Sequence, residues 1–80
     1  MFRRLTAVFE ACVQQYRYDH ASPAVQKIVD LAKSEKALFR IASDGRVRVV
    51  KNPGTPDWKS YNYNSEGKIT SRFSRGYRLV

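Results

Sequence analysis

Arg40, Arg46 and Arg48 recur at even positions within Phe39-Arg40-Ile41-Ala42-Ser43-Asp44-Gly45-Arg46-Val47-Arg48-Val49-Val50-Lys51, and Arg72 repeats the pattern further along. A guanidinium presents a planar fork of donors that fits phosphate and stacks on bases. An exposed tryptophan such as Trp58 stacks on a base for about 1–3 kcal/mol. Arginines and an aromatic on one open sheet face make a surface for single-stranded nucleic acid. The same composition also serves any exposed sheet, since edges use Lys and Arg against aggregation.

Other residue types offer less. His20 is the only histidine and follows Asp19, but no nucleophile accompanies the pair in sequence. Cys12, the only cysteine, falls on an apolar helical stripe and reads as a buried, inert thiol. No cluster of ligands has metal-binding spacing. Neither a Walker frame nor Gly-x-Gly-x-x-Gly is present, so Asn52-Pro53-Gly54-Thr55-Pro56-Asp57 is a connection rather than a phosphate loop. No cofactor is implied, and the chain is not expected to be an enzyme.

The arginines act together only if strands position them. Ser43-Asp44-Gly45 suits a three-residue loop with a left-handed glycine, which sets Ile41 opposite Val47 and Phe39 opposite Val49. Arg40, Ala42, Arg46, Arg48 and Val50 then face the other way. A two-residue loop would mix charge and apolar groups on both faces, so the first register is preferred.

Trp58 to Asn64 and Lys68 to Ser74 alternate around Ser65-Glu66-Gly67, a second hairpin with the same turn chemistry. The same register sends Tyr61, Tyr63, Ile69 and Phe73 to the core. It leaves Trp58, Ser60, Asn62, Thr70, Arg72 and Ser74 outside. Arg75-Gly76 is expected to bend or bulge the last strand before Tyr77-Arg78-Leu79-Val80.

Upstream, Phe2, Leu5, Val8, Phe9, Cys12, Val13 and Tyr16 form a helical apolar stripe over residues 2–18, with Arg3, Arg4, Glu10, Gln14 and Arg17 outside. Ser22-Pro23 starts a second helix running to about residue 36, whose stripe is Val25, Ile28, Val29, Leu31 and Ala32. Helix, helix and hairpin suggest a winged helix. The second helix makes a poor reader of DNA, because Asp30 and Glu35 interrupt Lys27 and Lys33. The predicted architecture is a single α+β domain over 1–80, with an N-terminal helical hairpin packed on one face of a C-terminal four-stranded antiparallel β-meander (hairpins about 37–51 and 58–80).

The chain has 80 residues and a formal charge of +8 with a sequence pI near 10.1. Residues 39–80 hold nine Lys or Arg against three acids, or +6 of that total. A domain this short buries only about 60% of its unfolded surface, so its large apolar residues are needed inside. A single cysteine excludes an internal disulfide and suits a reducing, cytoplasmic setting. Glu10, Gln14 and Gln15 break up the opening Met1-Phe2-Arg3-Arg4 segment, which reads as structure rather than a signal peptide, and no membrane partner is expected.

The expected function is non-enzymatic nucleic-acid binding, RNA or single-stranded DNA before duplex. It would use Arg40, Arg46, Arg48, Arg72 and Trp58 on the open face, with Lys51, Lys59, Lys68, Arg75 and Arg78 around the rim. The alternative is a small protein-interaction module, such as a phage or mobile-element inhibitor, docking its basic face on an acidic protein. A toxin-like ribonuclease is a third class, by fold analogy alone. An unpaired edge strand also offers a route to a homodimer.

Overall fold

The structure, a computed structural model, describes the backbone of residues 2–74 and 77–78 and the side chains of residues 10–74. Helix α1 spans Phe2–Asp19 and α2 Pro23–Ser34. Strands follow at Leu38–Ile41 (β1), Val47–Lys51 (β2), Lys59–Tyr63 (β3), Ile69–Ser74 (β4) and Tyr77–Arg78 (β5). The sheet has the order β1-β2-β3-β4-β5, each neighbour antiparallel. This is the expected pair of helices on a four-stranded meander. The two-residue β5 pairs back on β4 instead of prolonging it, and the bend expected at Arg75-Gly76 lies outside the described residues.

Helix α2 begins where the sequence places it. Ser22 is extended and its hydroxyl accepts the Val25 amide at 3.3 Å, with Pro23 in the first turn. The same Ser22 hydroxyl donates to the Ser65 carbonyl at 2.8 Å, tying the helix start to the β3–β4 turn. At its far end Lys36 adopts φ +57, and the amides of Lys36 and Ala37 reach back to the carbonyls of Lys33 and Ala32. That is a Schellman closure with lysine where glycine is usual.

Among the described side chains the buried core is small: Val25, Val29 and Ala32 of α2 meet Ile41, Val47 and Val49 of β1 and β2. Full burial of a valine or isoleucine among them contributes about 1.5–3 kcal/mol, and of Ala32 less. Leu31, expected in the stripe, is 57% exposed on the flank of α2.

Helix α1 departs furthest from its expected orientation. Cys12 is exposed rather than buried, Tyr16 is 64% exposed and Val13 is half-buried. Gln14, Arg17 and Tyr18 turn inward instead. The reason lies at the edge of β1, where backbone groups facing away from the sheet need partners. Gln14 accepts the Ile41 amide at Oε1 (2.7 Å) and donates from Nε2 to the Ile41 carbonyl (3.0 Å). Arg17 Nη1 adds a second bond to that carbonyl at 2.9 Å. Helix α1 therefore closes part of an edge that was expected to be free for pairing. The stripe from Phe2 to Phe9 lies outside the described side chains.

Candidate functional site

Hairpin β1–β2 has the expected register, Phe39 opposite Val49 and Ile41 opposite Val47. Gly45 takes φ +90, and its amide reaches the Ala42 carbonyl at 3.0 Å. Arg40 consequently sits directly across from Arg48 on the face away from the helices. Two like charges in opposed positions cost stability. Each is partly compensated: Arg40 lies 3.8 Å from Glu10, and Arg48 Nε donates to Asn62 Oδ1 at 2.9 Å. Arg46, at the turn, pairs with Asp44 at 3.2 Å.

Asn62 in turn donates to Ser71 Oγ at 2.7 Å. A polar row, Arg48–Asn62–Ser71, thus crosses three strands and holds Arg48 by one nitrogen of its fork. The remaining guanidinium donors stay on an exposed side chain. Trp58 is half-buried just before β3, at a position in phase with Ser60 and Asn62.

Beyond Asn62 the second hairpin departs from the expected register. Tyr63 pairs with Ile69 as anticipated, but Asn62 then pairs with Ser71, Tyr61 with Arg72 and Ser60 with Phe73. Thr70 is the extra residue of a bulge on β4. Every later β4 side chain changes sides. Arg72 and Ser74, expected on the open face, lie on the helix side, whereas Phe73, expected in the core, stands on the open face at 39% exposure. Phe73 is the aromatic that sequence reasoning missed, since strict alternation across Thr70 conceals it.

The cations expected around the rim also separate. Lys51 is on the helix side, bonded to Glu35 at 3.1 Å and 5.5 Å from the Tyr61 ring centre. Lys59 shares that side through its pairing with Lys51 and Ser74. Lys68 is exposed in the β3–β4 turn. Arg78 belongs to β5 but its side chain lies outside the described residues, as does all of Arg75. The open-face set is therefore Arg40, Arg46, Arg48, Trp58, Phe73, Asn62 and Ser71.

His20 and Asp19 do not form a catalytic pair. The His20 Nδ1–H donates to the Tyr16 carbonyl at 2.9 Å and its ring stacks on Tyr16 at 4.2 Å, while Asp19 accepts from Gln15 Nε2. Among the described residues no three His, Cys, Asp or Glu side chains gather as metal ligands, and no helix is long and apolar enough to cross a membrane.

Among the described residues three groups titrate above their ordinary values. Tyr18 is raised by its 2.8 Å hydrogen bond to Asp30, then by burial and by the charges of Asp30 and Asp19. Tyr63 is raised chiefly by burial, and Lys51 by its bond to Glu35. A folded pKa above the unfolded one gives stability that is present below the unfolded value and lost as pH climbs through the folded one. All three contributions therefore fade on the alkaline side of about pH 10. Asp30→Asn is expected to bring the Tyr18 phenol down toward its ordinary 10.0 while leaving Tyr63 raised. Tyrosine ring-carbon NMR shifts followed against pH would show it; an unmoved Tyr18 would refute the assignment.

The fold and site define a small α+β domain with a basic, partly aromatic open sheet face. Comparison with protein-family models, curated proteins and solved structures finds no match for this chain.

Proposed function

We propose that the protein is a non-enzymatic binder of single-stranded nucleic acid, holding the phosphate backbone on its open sheet face with little sequence selectivity. The observation that carries this reading is the opposed pair Arg40 and Arg48. A sheet does not gain stability from two facing guanidinium groups, and an anion placed between them would relieve their repulsion. The row through Asn62 and Ser71 supports the reading by holding Arg48 in place before binding. Phe73 and Trp58 supply rings for stacking beside that row. The +8 charge brings a polyanion to the surface without itself selecting the face.

The test is fluorescence anisotropy with a labelled oligothymidylate and an RNA of the same length at several salt concentrations. Joint replacement of Arg40, Arg46 and Arg48 by Gln is expected to weaken binding at least about tenfold and to flatten the salt dependence by about 2 in slope for single strands. Arg72→Gln, on the other side of the sheet, is expected to change affinity far less. Equal affinity of the triple variant, or a loss caused by Arg72→Gln alone, would overturn the assignment.

A further inference from the structure

The helical layer is incomplete. Helix α2 packs on β1 and β2, and α1 lies against α2 and β1. Among the described residues neither helix covers β3 and β4, which leaves on the helix side a ledge about 10 Å wide, two strand spacings, equal to the diameter of one helix with its side chains. Its length of five residues, about 17 Å, matches roughly three helical turns.

The ledge has a distinct composition. Tyr61 and Tyr63 form its floor, half-buried, with Ile69 (41% exposed) beyond them. Helix α2 forms its wall. Ile28 lies near the β3–β4 turn at Gly67, and Glu35 reaches Lys51 on β2, so Leu31 falls between them at helical spacing. Arg72 and Lys59 stand at the rim. The acid on this wall, Glu35, is already bonded to Lys51.

We propose that this ledge docks an amphipathic, acidic helix of a partner protein. The helix would seat its apolar stripe on Leu31, Tyr61, Tyr63 and Ile69 and set its carboxylates toward Arg72 and Lys59. This is the helix-in-groove mode of recognition, with a cationic rim selecting the sign of the partner. Charge argues against a second copy of this chain as occupant. Its own helices carry Arg3, Arg4 and Arg17 against Glu10 and Asp19, and Lys27 and Lys33 against Asp30, so each would bring a net positive charge to a positive rim. The ledge is on the opposite side of the sheet from Arg40 and Arg48, so the inference stands apart from nucleic-acid binding.

The experiment is an NMR titration of the isotope-labelled full chain with a synthetic helical peptide of about 18 residues. Leucines are spaced for one face and glutamates fill the other. A counterpart carries lysine at every glutamate. The acidic peptide is expected to shift the amides of Leu31, Tyr61, Tyr63, Ile69 and Arg72, and the basic one to bind at least about tenfold more weakly. Arg72→Glu and Leu31→Asp, both at exposed positions, are each expected to weaken the acidic peptide about tenfold while leaving oligothymidylate affinity close to that of the unaltered protein. Equal binding of both peptides, no shifts at the ledge, oligothymidylate shifts centred on Tyr61 and Arg72, or self-association through these residues would each overturn the proposal.

Discussion

Gly67→Ala is expected to destabilise the protein by about 2–3 kcal/mol, well beyond the ordinary cost of alanine in a turn. Gly67 has φ +82, where an L side chain is strained by about 1–2 kcal/mol. A Cβ there would lie 2.7 Å from the Cβ of Ala24 and 3.4 Å from Ile28 Cδ1. Ala24 cannot easily withdraw, because it is in the first turn of α2, whose start is held to the same turn by the Ser22–Ser65 hydrogen bond. Gly54→Ala separates the two effects. Gly54 has a similar φ of +76 but nothing within 4 Å of its Cβ position, so only about 1 kcal/mol is expected. Urea unfolding of both variants measures the difference. Equal losses would show that the contact with Ala24 is relieved at no cost.

Ile41→Ala is expected to cost about 2–5 kcal/mol, the range for deleting a large buried aliphatic. Ile41 is fully buried against Val25, Val29, Ala32, Val47 and Val49. Its backbone is held on the outer side by Gln14 and Arg17, which limits how far β1 can relax into the cavity. A domain of this length has a total stability on the order of 4–12 kcal/mol, so the substitution removes a large share of it. Leu31→Ala, at an exposed aliphatic, is expected to stay within about 0.5 kcal/mol. Denaturant midpoints compare the two, and a small loss at Ile41 would mean the core closes around the missing atoms.

Much of the fold was legible because local signals agreed. Ser22-Pro23 marked a helix start that the structure reproduces, and Asp44-Gly45 with flanking alternation fixed the first hairpin to the residue. The second turn was equally clear; its strand was not. Around Thr70 the sequence reads Ile-Thr-Ser-Arg-Phe-Ser, in which either register offers a polar residue to each face, so no apolar pattern resists a slip of one. Helix α1 misled for another reason. Its apolar residues outnumber Gln14, but the demand of the β1 backbone for hydrogen-bond partners is invisible to hydropathy. The candidate site inherited these outcomes: Arg40, Arg46 and Arg48 were found, Arg72 was placed on the wrong side, and Phe73 was hidden with it.

The extra residue in β4 also decides which side of the sheet every later β4 residue joins. Deleting Thr70 would let Ser71 follow Ile69 directly in the ladder, leaving Arg72 opposite Tyr61 and Phe73 opposite Ser60, so that both sides of the sheet keep their present residues. Taking Thr70 into the ladder in place of the bulge is what would exchange the sides, carrying Arg72 toward Arg40 and Arg48 and Phe73 toward the tyrosines with no letter of the sequence altered. A bulge at one position, rather than residue type, sets how this domain divides its charge and its aromatic surface between two sets of neighbours.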